Sequence, residues 1–240
     1  MRRQRKPAIL HGHARDVPPQ SPKGRCELSA LVGGMQVRDP RRFLALPVVY
    51  RLFSNLLGAH RSRMECVAEY IRPKASDRVL DCGCGPGDLL EYLPDVQYVG
   101  IDIDADYIAE ARSRFGDRAS YRLGPLGAET MSEEAHYDLV LAWGVLHHLA
   151  DEQVREFMSL ARRSLKPTGR LVTLDPCYTE GQSRVARYLL DRDRGQHVRS
   201  LEEWPHLVRP TFPSAAFHVR HDLLRIPYTH LIMECPAETS

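Results

Sequence analysis

The stretch Arg78-Val-Leu-Asp-Cys-Gly-Cys-Gly-Pro-Gly87 decides the fold of this chain. A short apolar run, which predicts a buried strand, leads into a turn with glycines at positions 83, 85 and 87, and a helix is predicted directly after it. Glycine lets the backbone approach a ligand closely and adopt positive φ angles. Several nucleotide-binding folds place such a turn after their first strand, so the spacing of the glycines has to distinguish them.

The spacing in this chain is G-x-G-x-G, which excludes two common nucleotide sites. A dinucleotide site requires G-x-G-x-x-G, because its third glycine lets the helix pack closely beside a pyrophosphate. That third position is Asp88 here, a carboxylate where the phosphate would lie. A P-loop is excluded because no Gly-Lys-Ser/Thr follows the turn.

Asp102 is the second informative residue, at the end of the apolar run Tyr98-Val-Gly-Ile-Asp. An acidic residue at the tip of the second strand, about 20 residues after the first glycine, can accept hydrogen bonds from two ribose hydroxyls. Taken alone, Asp102 could instead cap the helix that is predicted to begin close behind it. Its combination with the glycine turn favours the ribose role.

Strands and helices alternate on both sides of these two motifs. The apolar spacing predicts strands over 78–81, 98–102, 120–123, 137–143 and 170–175, and helices over 64–71, 88–92, 105–115 and 151–165. This alternation predicts an α/β fold with a doubly wound parallel sheet. Residues 216–222 and 228–235 predict an antiparallel hairpin that closes the sheet, and Lys166-Pro-Thr-Gly169 predicts a turn.

The amino-terminal part of the chain differs from the rest. Residues 1–38 mix basic residues and prolines without apolar periodicity, which predicts a disordered extension, and Met35 is an alternative start. Residues 39–240 are then expected to form one domain. Its first helix is predicted over 47–57, between a proline and a glycine.

Composition excludes several classes of protein. Lys and Arg number 33 against 31 Asp and Glu, and the net charge of +2 is too small to predict a nucleic-acid or membrane-surface partner. The longest apolar run is Leu139–Leu146, whereas a transmembrane helix needs about 20 residues. The six cysteines have neither CxxC nor zinc-finger spacing, so we expect reduced thiols, no bound metal and a cytoplasmic location.

These motifs together resemble the class I S-adenosylmethionine (SAM)-dependent methyltransferases. The resemblance covers about residues 78–175 and also rests on Tyr137-Asp-Leu-Val-Leu-Ala-Trp-Gly-Val-Leu-His-His-Leu149 and Leu165-Lys-Pro-Thr-Gly-Arg-Leu-Val-Thr-Leu174. It implies a Rossmann-like, doubly wound sheet of seven strands, mostly parallel with an antiparallel last strand. It also implies SAM as the cofactor.

The resemblance assigns the cofactor site residue by residue. It implies that the methionine part of SAM lies against Asp81 and the turn formed by Gly83, Gly85 and Gly87, that Asp102 holds the ribose, that Ile103 packs on the adenine, and that Ala142 and Trp143 close the methionine side. Family members often carry an Asp after the third strand that binds the adenine amino group. This chain has Leu-Gly-Pro-Leu-Gly at 123–127 instead, so backbone groups near Leu126 are expected to bind adenine.

Two histidines are candidates for proton transfer. Methylation of a weakly acidic hydroxyl needs a base, and His147 and His148 follow the fourth strand, whose carboxyl end faces the ligand crevice. A Leu-His-His-Leu segment also occurs in methyltransferases of unlike chemistry, where it shapes the loop and packs the next helix. Both interpretations stay open from the sequence.

The acceptor is predicted to be a small molecule, with O-methylation as the reaction. A helical lid over 39–72 and an insert over 177–213 lie where the family binds acceptors, and neither is long enough to dock a protein. An Asn/Asp-Pro-Pro-Tyr/Phe motif is missing after the fourth strand, which disfavours nucleic-acid methylation. A tRNA or protein methyltransferase and a non-catalytic SAM-binding regulatory protein are the alternatives.

Within the insert, four residues are candidates for binding the acceptor. Tyr178 is expected in the substrate pocket, and Arg192, Arg194 or Arg199 is expected to bind an anionic group, since arginine presents a planar fork to carboxylate and phosphate. The alternative is that these arginines pair with nearby acidic residues on a solvated surface.

Overall fold

The computed structural model describes residues 58–193 and 195–238. The expected extension over 1–38, the helix predicted over 47–57 and the candidate Arg194 therefore lie outside the described residues. Among the described residues, eight strands form, and they are β1 Arg78–Cys82, β2 Gln97–Asp102, β3 Ala119–Leu123, β4 Tyr137–Trp143, β5 Leu165–Tyr178, β6 Arg199–Ser200, β7 Ala216–Arg220 and β8 His230–Pro236.

Seven of these strands form the sheet in the order β3-β2-β1-β4-β5-β8-β7, and the short β6 pairs with β5. Strands β1 to β5 are parallel, whereas β8 runs antiparallel to both β5 and β7. The Rossmann-like architecture with an antiparallel strand near its end is thus confirmed. The strand order reverses between β1 and β4, and ligands of open α/β sheets bind at the carboxyl ends of the strands at such a switch point.

Helices cover both faces of the sheet. In the described part of the chain they are α1 Ala59–Cys66, α2 Ala105–Phe115, α3 Asp151–Ser164, α4 Arg184–Leu190 and α5 Trp204–Val208, with 3₁₀ turns over Asp88–Tyr92, Gly116–Arg118 and Leu146–His148. No helix among the described residues combines the length and the apolar character needed to cross a bilayer.

Helix α1 continues into a π-helical turn, Val67–Ile71, which changes the buried face. The spacing of the sequence predicts one inner face with Met64, Val67, Ala68 and Ile71. Val67 and Ile71 are buried as predicted, whereas Met64 and Ala68 are exposed and Ser62 and Cys66 are buried instead. The N–H of Arg72 donates to the carbonyl of Val67 at 2.8 Å, so this turn holds one more residue than an α-helical turn. The extra residue rotates the two halves of the helix relative to one another.

Strand β5 is longer than predicted because the predicted turn lies within it. Leu165 pairs with Tyr137 and Arg170 pairs with Leu139, so four residues of β5 bulge out opposite one residue of β4. That opposing residue is Asp138, whose carboxylate accepts hydrogen bonds from the Lys166 ammonium at 2.7 Å. The Lys-Pro-Thr-Gly stretch is therefore a bulge within β5, and not a turn that precedes the strand.

The core consists of two apolar clusters, one on each face of the sheet. Alternate residues of β5 supply both, with Leu171 in one cluster and Val172 in the other. The described cysteines are free and buried: Cys82, Cys177 and Cys235 belong to the first cluster, and Cys66 and Cys84 to the second. Burial is the main cause that raises the pKa of the Cys66 and Cys177 thiols to about 12.

Candidate active site

The glycine turn after β1 presents two different surfaces. Gly83 has a φ angle of 75°, and a Cβ atom there would lie 2.3 Å from the Cγ2 atom of Val145, in the loop after β4. Gly85 also has a positive φ angle, 53°, but a Cβ atom there would meet nothing within 4 Å. Gly83 is therefore required by packing, whereas Gly85 borders open space that a ligand can occupy.

The Asp102 carboxylate at the end of β2 holds this turn in place. It accepts a hydrogen bond from the Gly85 N–H at 2.8 Å and another from the Asp104 N–H at 2.9 Å. The side chain that caps α2 is Asp104, which accepts hydrogen bonds from the N–H groups of Asp106 and Tyr107. The capping alternative for Asp102 is therefore wrong, and its half-buried carboxylate lies beside the open face of the turn.

Asp81, near the end of β1, is a buried carboxylate with one unpartnered oxygen. Its side chain is 1% exposed, the Tyr98 hydroxyl donates to Oδ2 at 2.5 Å, and Oδ1 has no hydrogen-bond partner among the described residues. Burial raises the pKa of Asp81 to about 7, although the hydrogen bond from Tyr98 opposes the shift. A cationic ligand group would satisfy this oxygen and favour its ionised form.

Apolar side chains are exposed where β2 and β3 end. Ile103 is 74% exposed and Leu123 is 54% exposed, and Leu123 pairs with Asp102 across the two strands. Leu126 differs from them because it packs partly against the first core cluster. The exposed pair offers an apolar surface next to Asp102 that a flat aromatic ring could cover.

An ion-pair cluster that the sequence analysis missed supports the turn from below. Asp88, the first residue of the following 3₁₀ turn, receives hydrogen bonds from Arg63 of α1 at 3.1 Å and from Arg114 of α2 at 2.7 Å. Arg114 also donates to the Pro86 carbonyl at 2.6 Å. No sequence spacing connects these three charged residues, since they belong to three separate elements.

The end of β4 lies beside the end of β1, as the resemblance implies. Ala142 pairs with Cys82 across the two strands and is buried, and Trp143 is half-buried against the second core cluster. Gly144 then turns the chain, and its N–H donates to the Leu174 carbonyl at 2.7 Å. The loop that carries the two histidines therefore begins at the carboxyl edge of the sheet, close to the glycine turn.

The two neighbouring histidines differ sharply in environment. His147 is 6% exposed, and its Nδ1 lies 2.8 Å from Asp175 Oδ1 while its Nε2 lies 3.3 Å from Asp193 Oδ1. Burial lowers the pKa of His147, but the hydrogen bonds to the two carboxylates outweigh it and raise the pKa to about 9. A buried imidazolium with both nitrogens engaged cannot accept a proton, so the geometry argues against His147 as the base.

His148 is exposed and keeps the property that a base requires. Partial burial and the neighbouring His147 charge lower its pKa below the usual 6.5, so the ring is neutral at pH 7. The centroids of the two histidine rings are 4.1 Å apart. The structure thus separates two residues that the sequence could not distinguish.

The candidates in the insert are not equivalent either. Arg199 is 5% exposed, binds the Asp151 carboxylate at 2.8 Å and donates to the carbonyls of Leu146 and Leu149. Its guanidinium is fully used inside the protein, so the expected anion-binding role of Arg199 is wrong. Its partner is Asp151 of α3, which is not among the acidic residues of the insert itself.

Tyr178 and Arg192 remain accessible. The Tyr178 hydroxyl donates to Asp191 at 2.9 Å, and the ring is half-buried. Arg192 is exposed and its guanidinium lies 3.7 Å above the centroid of the Tyr188 ring. Cys177, next to Tyr178, is buried, and its raised thiol pKa leaves it without nucleophilic character at neutral pH.

Comparison with known proteins adds an independent observation. Residues 79–169 match the family model described as a methyltransferase domain. This part of the chain is similar to a methyltransferase domain, and the described residues have the fold of class I methyltransferases. A SAM-dependent methyltransferase from Archaeoglobus fulgidus superimposes with a TM-score of 0.59 at 18% identity, over 78% of this chain and 99% of that structure, which shows the shared fold.

Two curated relatives are each similar to a little less than half of this chain. N-terminal Xaa-Pro-Lys N-methyltransferase 1 of Rattus norvegicus is 32% identical over 108 residues, which are 42% of this chain and 48% of that protein. The protein named "Probable S-adenosylmethionine-dependent methyltransferase" of Mycolicibacterium smegmatis is 32% identical over 117 residues, 48% of this chain and 44% of that protein. The chain thus spans less than half the length of these relatives.

The family match implies SAM as the methyl donor, and the described residues fit this molecule. SAM carries an ammonium group, two ribose hydroxyls and an adenine ring. The unpartnered oxygen of Asp81, the half-buried carboxylate of Asp102 and the exposed side chain of Ile103 offer a complement to each of the three. The open face of Gly85 leaves space between them.

Proposed function

We propose that this chain is a SAM-dependent methyltransferase that transfers a methyl group to a hydroxyl of a small-molecule acceptor. The observation that carries the proposal is the neutral, exposed His148 at the carboxyl edge of a sheet whose glycine turn leaves open space at Gly85. A hydroxyl needs a base to become a nucleophile, and His148 is the accessible residue of the histidine pair with an acceptor nitrogen at neutral pH.

The proposed cofactor contacts follow from the same arrangement. Asp81 faces the methionine part, the backbone from Gly83 to Gly87 surrounds it, and Asp102 accepts hydrogen bonds from the ribose. Ile103 and backbone groups near Leu126 contact the adenine, and Ala142 with Trp143 closes the methionine side. The positions of these residues at the ends of β1, β2 and β4 support the assignment.

The protein contributes alignment and proton transfer to the reaction. When bound, SAM would supply a methyl group attached to a sulfonium sulfur, and the rest of SAM would leave as a neutral thioether. His148 removes the hydroxyl proton, and the surrounding loops exclude water from the reacting atoms. His147 contributes a fixed position for this loop rather than a base.

The insert and the lid are proposed to border the acceptor. Of the three arginines, Arg192 stays the described candidate for an anionic group on the acceptor, with Tyr178 beside it. The exposure of Arg192 supports this role.

A cytoplasmic location is also proposed, since the free thiols among the described residues fit the reducing conditions of the cytoplasm.

A protein amine is the second candidate acceptor. It is favoured by the similarity to the rat N-terminal Xaa-Pro-Lys N-methyltransferase, 32% identical over 108 residues. That similarity covers 42% of this chain, which is too short to include both the amino-terminal part and the insert. If the acceptor is a protein, treatment of the substrate with protease should abolish the activity.

The test measures S-adenosylhomocysteine formed from SAM in the presence of a cell extract. We expect product with the low-molecular-weight fraction of the extract, unchanged by prior treatment with ribonuclease or protease. Product only with the macromolecular fraction would replace the small-molecule acceptor by RNA or protein. SAM binding without product in any fraction would favour the non-catalytic alternative.

The base is tested by His148→Gln, with His206→Gln as the control, since His206 is an exposed histidine on α5. Loss of a general base typically costs 10²–10⁴-fold in rate. We expect such a loss for His148→Gln with unchanged SAM affinity, and a normal rate for the control. Equal rates in both variants would remove His148 from the mechanism.

A further inference from the structure

A buried side chain, that of His147, joins the insert after β5 to the loop after β4. Its Nε2 lies 3.3 Å from Asp193 Oδ1, in the segment that follows α4. On its other side, Nδ1 lies 2.8 Å from Asp175 Oδ1, and the His147 backbone N–H donates to the same oxygen at 3.1 Å. The ring therefore connects a carboxylate of β5 with a carboxylate of the insert.

The described residues Asp193, Gly195 and His197 lie against this ring or its backbone. A Cβ atom on Gly195 would lie 2.0 Å from the Cδ2 atom of His147, so only glycine allows the backbone to approach so closely. The Gly195 N–H donates to Asp193 Oδ1 at 2.8 Å, and the His197 N–H donates to the His147 carbonyl at 2.9 Å. The insert thus contacts His147 at three points: Asp193 on the ring nitrogen, Gly195 against the ring, and His197 on the backbone carbonyl.

Asp193 is also fixed from the opposite side. The Tyr228 hydroxyl, between β7 and β8, donates to Asp193 Oδ2 at 2.6 Å. Burial raises the pKa of Asp193, but the hydrogen bonds from His147 and Tyr228 outweigh it and hold the pKa well below its usual range. The carboxylate is therefore charged at neutral pH, and the imidazolium of His147 balances it.

The charges around His147 come from each element packed against it. Asp175 lies on β5, Asp193 lies in the insert, and His148 is the neighbour of His147 in the loop. Tyr228 lies just before β8, and His230 is the first residue of β8. Burial lowers the pKa of His230 to about 4, and the pKa of His148 is also lowered, so both are neutral at pH 7. The two carboxylates therefore face one cation.

We propose that His147 is a positioning residue, whose bridge between Asp175 and Asp193 fastens the insert beside the acceptor side of the domain, and whose deprotonation releases the insert. The location of the acceptor rests on the proposed function, whereas the fastening itself does not. Arg199 is a second link between the same two segments, and it holds the later part of the insert to Asp151. Release is therefore expected at the described residues Asp193, Gly195 and His197, before Arg199.

From this bridge we expect acceptor binding to depend on pH, with no accompanying change in SAM binding. Loss of the second ring proton removes one of the two hydrogen bonds from the ring, and it also removes the cation that balances the two carboxylates, which is unfavourable. The insert segment that carries Asp193 can move into water, whereas Asp175 of β5 is buried in the sheet. Among the residues that the structure describes, no hydrogen bond joins the glycine turn or Asp102 to Asp193, Gly195 or His197.

The first test measures hydrogen exchange of the amides of Gly195 and His197 in the wild-type chain, Asp193→Asn and the control Asp191→Asn. The control removes a carboxylate two positions away that binds Tyr178 and not His147. We expect roughly tenfold or greater loss of protection in Asp193→Asn at pH 7, corresponding to one lost charge-assisted hydrogen bond. Protection in Asp191→Asn should equal that of the wild type.

The wild-type chain supplies a second readout that requires no substitution. Protection of these two amides, corrected for the intrinsic pH dependence of exchange, should fall as the pH rises through about 9, where His147 loses its proton. Amides of β4 should stay protected over the same range. Unchanged protection of Gly195 and His197 up to pH 10, or in Asp193→Asn at pH 7, would overturn the proposal.

The functional consequence is measured with the low-molecular-weight extract fraction as the acceptor source. We expect Asp193→Asn to raise the amount of extract needed for half-maximal S-adenosylhomocysteine formation, while the Kd for SAM and the rate at saturation are retained. A lower saturated rate with unchanged half-saturation would contradict positioning. If no fraction gives product, the proposed function fails while the exchange experiments still decide the fastening.

Discussion

The two sides of the candidate site are built in different ways. On the cofactor side, from Asp81 to Asp104, backbone groups of consecutive elements contact one another, and one carboxylate, Asp102, holds the turn. On the acceptor side, charged side chains far apart in the chain meet, since His147 binds Asp175 from 28 positions away and Arg199 reaches Leu146 from 53 positions away. Local construction leaves a motif in the sequence, whereas long-range construction does not.

The largest expected effect is at Gly83, where local construction is tightest. Gly83→Ala combines a left-handed backbone with a clash against Val145, and these cost about 1–2 and about 1–3 kcal/mol of folding free energy. Gly85→Ala has the backbone cost alone, because its Cβ atom meets nothing. Urea unfolding of both variants measures the difference. Equal destabilisation would mean that the turn does not depend on the loop after β4.

On the acceptor side, Arg199→Ala should lower the free energy of unfolding by about 2–4 kcal/mol, because it removes the hydrogen bonds to the carbonyls of Leu146 and Leu149 and leaves Asp151 without its ion-pair partner. Arg192→Ala is the matched exposed arginine, and it loses only a contact with Tyr188 worth about 0.5–1 kcal/mol. Thermal and urea unfolding would compare the two. A silent Arg199→Ala would contradict the conclusion that its guanidinium is consumed internally.

Asp102→Ala should weaken SAM binding by about 1.5–3 kcal/mol, the value of a hydrogen bond to a charged group. It also releases the N–H groups of Gly85 and Asp104, so the turn loses its anchor. Asp106→Ala is the control, since Asp106 is exposed in the first turn of α2. Calorimetric titration with SAM measures both. Unchanged affinity in Asp102→Ala would sink the ribose assignment.

The smallest effect is a pH dependence that distinguishes the carboxylate at Asp81 from the cation at His147. The folded-state pKa of Asp81, about 7, is above its unfolded value, so its contribution to stability is present at low pH and is lost as the pH rises through 7. Asp81→Asn should therefore melt a few degrees above the wild type at pH 8, by less at pH 5, and equal it only below the unfolded pKa of 3.8. Scanning calorimetry without SAM measures this shift, and a pH-independent difference would contradict it.

The same reasoning gives His147 a different pH window. Its folded-state pKa of about 9 is also above the unfolded value, so its contribution is complete below about 6.5 and is lost as the pH rises through 9. Near pH 6.5 the wild type has therefore lost most of the contribution of Asp81 while it keeps nearly all of that of His147. The two sides of the site can thus be weakened one at a time by pH.

Regular elements with strong periodicity were predictable from the sequence. The bounds of α2, Ala105–Phe115, and of β4, Tyr137–Trp143, match the prediction. The buried face of α1 was not predictable, because a single bond from Arg72 to Val67 makes its last turn π-helical. The length of β5 depended on its pairing with Tyr137, which local propensity does not contain.

Within the candidate site, sequence spacing placed Asp102 beside the glycine turn, but it left open whether Asp102 caps α2 and did not identify Asp104 as the cap. The roles of His147 and His148 could not be separated, since their difference comes entirely from Asp175 and Asp193. Arg199 looked like an anion-binding residue because its partner Asp151 lies on another element. Charge pairing across the fold is invisible to periodicity.

The burial of the described cysteines makes the protein its own reporter of partial unfolding. Their thiols do not react in the closed state, because they are covered and their pKa values are raised, above all by burial. Cys82, Cys177 and Cys235 lie in one apolar cluster and Cys66 and Cys84 in the other. Alkylation followed by peptide mass mapping would therefore reveal which face of the sheet opens first, without any label being introduced.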